Sequence, residues 1–206
     1  MPSRYVTGTD TGIGKTHVTA ALLREARRAG QPCAGMKPVA SGCLATASGW
    51  RSEDALAHAT ADGFDLPYAD RNPYALPLPV APEIAAREVG IEVALAPIVE
   101  AYTRIVARVP EVCVEGVGGW LAPLSPTLEQ ADLVRALRLP VLMVVGLRLG
   151  CVHQARATQR AIVADGCEFA GWIANPVEPD MACMEDNLAI LARVLGAAPL
   201  RIMPRD

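Results

Sequence analysis

The chain has 206 residues, 51% of them hydrophobic, which is enough to bury a substantial core within a single domain covering residues 1–206. Its net charge of −3 at pH 7 gives no electrostatic reason to expect a nucleic-acid partner or an anionic membrane. The longest apolar run, Leu139–Leu147, is about half the length that a membrane span needs.

Short apolar runs alternate with helix-periodic segments along the chain. Strands are predicted at Tyr5–Thr7, Cys33–Lys37, Val112–Glu115, Val141–Val145, Phe169–Ala174 and Leu200–Met203. Helices are predicted at Lys15–Ala29, Ile98–Arg108, Leu128–Leu137, Val152–Ala164 and Met181–Leu195, and the proline-rich stretch Asp65–Pro82 is predicted to be an irregular connection. Apolar runs without clean alternation suit parallel strands buried on both faces. The expected fold class is therefore α/β, with a doubly wound, mostly parallel sheet flanked by helices and ligands at the carboxyl ends of its strands.

A glycine-rich segment, Gly8–Thr16, lies between the first predicted strand and the first predicted helix. Glycines let backbone N–H groups turn inward, and a helix N-terminus adds partial positive charge for phosphates. We expect Lys15 to reach the β- and γ-phosphates of ATP or a related nucleotide, and the Thr16 hydroxyl to bind Mg²⁺. The match to the general phosphate-loop pattern is imperfect, because Thr9 stands at its first glycine position. The alternative is a glycine-rich turn with a chance Gly-Lys-Thr.

Two acidic residues are candidate partners for that metal ion. Glu115 follows the apolar run Val112–Val114 and precedes a glycine-rich turn. A carboxylate at the end of a buried strand is costly unless it meets a cation, although a capped or water-exposed strand end is the alternative. Asp54 lies in the acidic first turn of another predicted helix, where spacing alone favours simple capping.

The six cysteines are interpreted as reduced thiols. They form no C-x-x-C pair and are accompanied by only three histidines, which argues against a zinc site. Their even number would allow a disulfide framework, but three lie in or beside apolar strand-like runs, where cysteine behaves as a small hydrophobe. Tyr5-Val6 follows the N-terminus almost at once, so we expect no targeting segment and a cytoplasmic location.

Several segments, in order along the chain, carry a resemblance to one family. They are Thr7–Thr16 (TGTDTGIGKT), Gly35–Gly42 (GMKPVASG), Asp54–Leu56, Asn72–Tyr74, Glu115–Trp120 (EGVGGW) with Pro123-Leu124, Pro140–Cys151 (PVLMVVGLRLGC) and Ala170–Asn175 (AGWIAN). In these segments the sequence resembles the ATP-dependent dethiobiotin synthetases. Because the segments span nearly the whole chain, their combination is far more specific than the phosphate loop alone.

The resemblance implies a phosphate-loop NTPase-like homodimer that works in biotin biosynthesis. Its substrates would be 7,8-diaminopelargonate, CO₂ and ATP, from which it closes the ureido ring of dethiobiotin and releases ADP and phosphate. ATP would phosphorylate a carbamate on one substrate amine, and the second amine would then attack the mixed anhydride. Phosphorylation makes sense chemically, because it turns a poor leaving group into a good one.

The resemblance also implies roles for individual residues. The catalytic group would be Lys37, Lys15, Thr11 and Ser41, and the magnesium ligands would be Thr16, Asp54 and Glu115. Further nucleotide contacts would come from Gly12, Ile13, Gly14, His17, Gly116, Val117, Gly118, Asn175, Pro176 and Pro204. Substrate would be bound by Ser41, Gly118, Gly150 and Cys151, the last two holding the substrate carboxylate from the partner subunit. Without the resemblance, Lys37 could equally be a solvated strand-end charge and Ser41 a turn residue.

Three departures from the family pattern concern substrate and base recognition. The family usually continues well past the position of Pro204, often has asparagine where this chain has His153, and commonly has a polar residue where this chain has Pro176. We therefore expect sparse contacts to the base and weak selectivity for ATP over other triphosphates.

Two other kinds of protein carry a phosphate loop in this kind of fold. An amidating ligase of the cobyrinate-diamide type normally carries a glutaminase domain, for which 206 residues leave no room. A nucleotide-switch ATPase that partitions chromosomes or positions the division machinery usually has a lysine at the place of Asp10, and often a membrane-binding helix at its end.

Overall fold

A six-stranded sheet forms the centre of the computed structural model, which describes residues 1–178 and 180–204. The strands are β1 (Arg4–Gly8), β2 (Cys33–Met36), β3 (Val39–Ala40), β4 (Leu44–Thr46), β5 (Gly49–Arg51), β6 (Tyr74–Ala75), β7 (Glu111–Glu115), β8 (Val141–Leu147), β9 (Phe169–Pro176) and β10 (Arg201–Ile202). The helices are α1 (Lys15–Arg28), α2 (Glu53–Asp62), α3 (Tyr68–Arg71), α4 (Pro82–Glu88), α5 (Leu95–Val106), α6 (Gln130–Leu137), α7 (Cys151–Ala164) and α8 (Met184–Leu195).

The central sheet has the strand order β10-β9-β8-β1-β7-β2, and each neighbouring pair is parallel. Strand β7 lies between β1 and β2, with Val6 opposite Glu115 and Met36 opposite Val114. All three strands therefore end at the same edge of the sheet. This edge is where the ligands of doubly wound folds bind.

Helices cover both faces of the sheet, as strand β8 illustrates. Its residues Leu142 and Val144 pack with α1, whereas Met143 and Val145 pack on the opposite face with α7 and α8. Every residue of β8 is buried, because successive side chains point to opposite faces and both faces are covered. The predicted α/β class and the mostly parallel sheet are confirmed.

The proline-rich stretch is more ordered than predicted. Asp65–Pro82 contains α3 and β6, so its interpretation as wholly irregular is wrong. Pro67 is the N-cap of α3, and Pro82 lies in the first turn of α4, where the missing N–H of proline removes no helical hydrogen bond. Strand β6 pairs with β3 beside the main sheet, and β4 pairs with β5 in an exposed antiparallel hairpin that sequence periodicity did not predict.

Two further features of the described chain are its lack of a membrane-spanning helix and its free cysteines. Across residues 1–178 and 180–204, no helix combines the length and the apolar character needed to cross a bilayer. The six cysteines, all within these ranges, are free thiols, five of them buried and Cys183 exposed.

Candidate active site

The phosphate loop owes its shape to two glycines. Gly12 and Gly14 adopt φ values of 72° and 82°, in the left-handed region that favours glycine, and Gly14 is the N-cap of α1. A Cβ atom on Gly14 would lie 2.2 Å from Nδ2 of Asn175, which donates a hydrogen bond of 2.8 Å to the carbonyl of Ile13. Thr9 is not among the described residues with positive φ, so the first glycine of the general pattern is not needed here. The imperfect motif thus still gives a well-formed loop.

Lys15 lies across this loop. Its Nζ donates to the backbone carbonyl of Asp10 at 2.7 Å. The carboxylate of Asp10 accepts hydrogen bonds from the backbone N–H of Thr11 at 2.7 Å and from the side chains of Arg148 and Gln154. Asp10 therefore ties the start of the phosphate loop to the turn between β8 and α7.

The electrostatic environment of Lys15 is unusual for a lysine. Burial, followed by the positive charge of Lys37, lowers the pKa of Lys15 to about 8 despite the opposing charges of Glu115, Asp54 and Asp10. The positive charges of Lys15 and Lys37 repel each other, and an anion bound beside both lysines reduces this repulsion. The arrangement is therefore suited to binding negatively charged groups such as phosphates.

Four side chains meet at the carboxyl ends of β1, β2 and β7. The Thr16 hydroxyl lies 2.7 Å from Oδ1 of Asp54 and 2.8 Å from Oε1 of Glu115. Nζ of Lys37 lies 2.7 Å from Oδ2 of Asp54, 2.7 Å from Oε1 of Glu115 and 2.9 Å from the carbonyl of Gly116. The three predicted magnesium ligands and the predicted second catalytic lysine are thus placed together, although they come from four different segments of the chain.

Glu115 is wholly buried and carries three side-chain partners. Besides Thr16 and Lys37, Nε2 of His58 lies 2.8 Å from its Oε2 atom. Burial by itself raises the pKa of Glu115, but Lys37 and His58 outweigh this effect and hold the pKa well below its usual range. Burial likewise lowers the pKa of Lys37, but Glu115 and Asp54 reverse the effect and raise it. Glu115 is therefore an anion and Lys37 a cation.

These oxygens fit a magnesium ion on chemical grounds. Mg²⁺ prefers oxygen ligands and is usually held by one or two carboxylates together with water and substrate phosphates. Asp54, Glu115 and the Thr16 hydroxyl offer such a set, and the Lys37 ammonium bridging the two carboxylates shows that this position favours positive charge. Within residues 1–178 and 180–204, no cluster of three or more His, Cys, Asp or Glu could hold a metal by itself.

The glycine-rich loop after β7 is held in place by Gln130, a wholly buried residue at the start of α6. Its Nε2 donates to the carbonyls of Val117, Gly119 and Ala122 at 3.0, 2.6 and 3.2 Å, and its Oε1 accepts 2.6 Å from the Tyr5 hydroxyl. The loop passes so close that a Cβ on Gly116 would lie 2.4 Å from Oε1 of Gln130. Burial and the charge of Glu115 raise the pKa of Tyr5, so its hydroxyl keeps its proton and stays a donor.

A cavity of about 830 Å³ opens over these groups. Its lining includes the phosphate loop with Gly118 beside Thr11, the two carboxylates with Lys37, and Ser41 with the segment Pro79–Pro82. Within the described chain, the buried hydroxyl oxygen of Ser41 has no hydrogen-bond partner, so it is available to a ligand. The cavity can therefore hold a triphosphate tail and a second polar molecule side by side.

Some predicted site residues lie away from this cavity. Gly150 and Cys151 start α7, and the Cys151 side chain is buried against β8 and β9. Asn175 and Pro176 end β9, His17 is exposed in the first turn of α1, and Pro204 is exposed after β10. None of these six is among the described residues that line the cavity. The side chain of Asn175 instead binds the phosphate loop itself.

Sequence analysis did not identify two residues of the site, although the sequence pattern around each could have indicated it. Gln130 shares one helical face with the buried Leu133, Val134 and Leu137, so a polar residue on an apolar stripe could have been noticed. His58 is four residues after Asp54 and so lies on the same face of α2. A helix that presents an acid to a site also presents the residue one turn later.

The sequence matches one family along almost its whole length. A family model described as an AAA domain matches residues 3–204. An ATP-dependent dethiobiotin synthetase of Xanthomonas oryzae pv. oryzae is 57% identical over 195 residues, which cover 95% of this chain and 87% of that relative. The ATP-dependent dethiobiotin synthetase of Xylella fastidiosa is 56% identical over 93% of this chain and 84% of its own length.

Solved structures share the fold at much lower identity. A ParA family ATPase from Chlorobium tepidum has a TM-score of 0.62 at 10% identity, covering 100% of this chain and 86% of its own. The MinD cell division protein of Aquifex aeolicus has a TM-score of 0.60 at 15% identity, covering 100% of this chain and 83% of its own. At such identities the similarity concerns the fold alone.

Proposed function

The chain belongs to the ATP-dependent dethiobiotin synthetase family, and we propose that it closes the ureido ring of dethiobiotin from 7,8-diaminopelargonate, CO₂ and ATP. It is an ATP-dependent carbon–nitrogen ligase of biotin biosynthesis. The observation that carries the finer assignment is one cavity lined by the phosphate loop, Lys37 and Ser41, whose hydroxyl has no hydrogen-bond partner among residues 1–178 and 180–204.

ATP would bind with its phosphates along the loop. The inward N–H groups, the α1 N-terminus and Lys15 offset the charge of the phosphate tail. Thr16, Asp54 and Glu115 would hold Mg²⁺, which supplies further charge neutralisation of the phosphates when bound. Because these groups sit at the ends of strands and helices, the γ-phosphate would be presented toward Lys37.

Lys37 is suited to the phosphoryl transfer itself. Its side chain lines the same cavity as the phosphate loop and Ser41. A carbamate on one substrate amine and the γ-phosphate both carry negative charge, and a cation between them reduces their repulsion. The attacking carbamate oxygen forms the new bond to phosphorus as the bond to ADP breaks. The second amine then attacks the carbonyl carbon of the mixed anhydride, phosphate leaves with the bonding electron pair, and the amine loses its proton.

Thr11, Ser41 and the loop Gly116–Gly118 would complete the second half of the site. Thr11 is exposed at the cavity edge close to Gly118, and the Ser41 hydroxyl can donate to a carbamate oxygen or accept from an amine. The apolar segment Pro79–Pro82 offers a wall for the aliphatic part of the diamine. Both reacting ends would thereby be held near the phosphate.

The product mixture tests this function directly. We expect ATP consumption to require diaminopelargonate, bicarbonate and Mg²⁺ together, with dethiobiotin appearing in the mass spectrum at the rate of ADP formation. Omitting each component in turn provides the controls, and chelation of the metal should abolish turnover. ATP hydrolysis at the same rate with and without the diamine would contradict the proposal.

A homodimer would complete the substrate site. Gly150 and Cys151 do not line the cavity described for one chain, and Leu149 beside them is 92% exposed. In the proposed assembly their backbone N–H groups hold the substrate carboxylate in the cavity of the partner. Mixing Lys37→Ala subunits with Gly150→Asp subunits would then restore activity, since one heterodimer site keeps both intact residues. Failure to restore activity in verified mixed dimers would count against a shared site.

Base recognition is a separate question. Asn175 is expected to contact adenine, but its Nδ2 also binds the phosphate loop, and Pro176 pairs with β8 at the end of the sheet. We propose that few contacts select the base. Competition among ATP, CTP and GTP at equal concentrations should then show weak discrimination, whereas a strong preference for ATP would overturn this part of the proposal.

A further inference from the structure

His58 meets the site through one of its two ring nitrogens. The residue is wholly buried on α2, with Nε2 facing Oε2 of Glu115 at 2.8 Å. In the described part of the chain, the buried Nδ1 atom has no hydrogen-bond partner. A buried polar atom without a partner is destabilising, so an aliphatic side chain would suit packing at this position better. The contact with Glu115 is the feature that accounts for a histidine here.

The two oxygens of Glu115 have different neighbours. Oε1 faces Thr16 and Lys37, both of which line the cavity. Oε2 faces His58, which is not among the described residues lining it. Because an ionised carboxylate can only accept a hydrogen bond, Nε2 carries a proton and donates it to Oε2. This bond fixes the carboxylate so that Oε1 alone is presented to the cavity.

The close packing of α2 on β2 brings His58 into reach. A Cβ atom on Gly35 of β2 would lie only 2.5 Å from Cβ of His58, so the helix lies directly against the strand. On the same face of α2, one turn earlier, Asp54 reaches Thr16 and Lys37. One helix thus supplies a candidate ligand and also orients the other carboxylate.

We propose that His58 is a positioning residue that turns Glu115 so that a single carboxylate oxygen faces the divalent cation bound with ATP. The proposal rests on the proposed function, because it takes Glu115 as a magnesium ligand. Groups that hydrogen-bond to a metal ligand orient it, and their loss commonly lowers metal affinity about 10–100-fold. The role of His58 is therefore measurable as metal affinity, separately from turnover.

Two amide variants separate this role from packing. In His58→Gln the amide nitrogen can take the place of Nε2 and reach Glu115, whereas the shorter side chain of His58→Asn ends near the position of Nδ1. The probe is Mn²⁺, titrated into the full-length protein with a non-hydrolysable ATP analogue and followed by the electron paramagnetic resonance of free Mn²⁺. We expect His58→Gln to stay within about threefold of wild type and His58→Asn to bind Mn²⁺ at least about tenfold more weakly.

Kinetics provide a second readout. His58→Asn should raise the Mg²⁺ concentration that gives half-maximal turnover, while saturating Mg²⁺ recovers most of kcat. Thr60→Ala, which changes an exposed residue on the same helix, serves as the control and should match wild type. Equal Mn²⁺ affinity in the two amide variants would overturn the role of His58, whatever their stability. If the wild type failed to bind Mn²⁺ with the analogue, the proposed metal site itself would be wrong, and this inference with it.

Discussion

Nζ of Lys37 lies 2.7 Å from Oε1 of Glu115, and both side chains are almost completely shielded from water, with 4% and 0% of their surfaces exposed. A buried ion pair is weak evidence for stability, because desolvation of the two charges offsets much of their attraction. The pair is better understood through its position at the carboxyl ends of adjacent strands. At this position the pair places a cation and an anion beside the phosphate loop.

Replacing Lys37 with methionine keeps the length of the side chain and removes its charge. We expect kcat to fall about 100–1,000-fold, because a charge that offsets the transferring phosphoryl group is lost. Affinity for an ATP analogue, measured by calorimetry, should change less than about threefold, because the phosphate loop and Lys15 remain. Arg104→Met removes a partly exposed arginine that pairs with Asp70 and is not among the described residues lining the cavity, so it should leave kcat unchanged. An unchanged kcat in Lys37→Met would show that this lysine is outside the chemistry.

Two alanine variants in the phosphate loop should differ sharply. Both Gly12 and Gly14 have positive φ, so an alanine at either position costs about 1 kcal/mol of backbone strain. At Gly14 the new methyl group would also collide with the Asn175 amide, whereas around Gly12 the described residues leave open space within 4 Å. Gly14→Ala should therefore destabilise the protein by at least about 2 kcal/mol and weaken ATP binding more than Gly12→Ala. Denaturant unfolding and nucleotide titration of both variants check this, and equal effects would show that the Asn175 contact does not matter.

Removing the amide of Gln130 should loosen the loop after β7. Gln130→Leu leaves three loop carbonyls without their donor, and we expect a loss of about 2 kcal/mol or more in the free energy of unfolding. The KM values for ATP and for the diamine should both rise, since the loop carries Val117 and Gly118, which line the cavity. Tyr5→Phe is the control, because it removes only the bond to Oε1 of Gln130. Unchanged substrate kinetics in Gln130→Leu would mean that the loop keeps its shape unaided.

The N-terminus of α6 gives a pH-dependent prediction. Asp132 accepts from the backbone N–H of Glu129, and this bond, together with Arg135, lowers its pKa below the usual value of an aspartate. A carboxyl group whose pKa is lower in the folded state adds stability above its unfolded pKa and loses that contribution as pH falls through the folded pKa. Asp132→Ala should therefore cost about 1 kcal/mol at pH 7 and less near pH 3. Urea midpoints at both pH values test this, and an equal loss at the two would exclude a charge contribution.

Local sequence patterns are sufficient to predict most of the strands, helices and loops around the site. The phosphate loop and the strand ending at Glu115 are short contiguous signals, and the structure has both within a residue or two of the prediction. The hairpin of β4 and β5 was missed, because its strands have three residues each and no apolar face to bury. Hydrophobic periodicity arises where an element buries an apolar face, so short exposed strands do not produce it.

Asp54 shows where spacing alone misleads. Its position in a first helical turn favoured capping, but Ser52 takes the N-cap and accepts from the N–H of Ala55 at 3.4 Å. The Asp54 carboxylate instead bonds to Thr16 and Lys37. Such pairings depend on how α2 lies against the sheet, and no local pattern encodes that placement.

The insertion of β7 between β1 and β2 constrains the order in which the protein can fold. The two flanking strands are made first, yet the gap between them is filled only by residues synthesised some 75 positions after β2. Until that happens Lys37 and Asp54 have no Glu115 to meet, so an N-terminal fragment can carry the phosphate-loop sequence without the charge cluster. Parallel pairings between distant segments are slow to form, because the loop-closure entropy is lost before the contacts are gained. The carboxylate cluster therefore assembles only when β7 has joined the sheet, and its formation reports on that step.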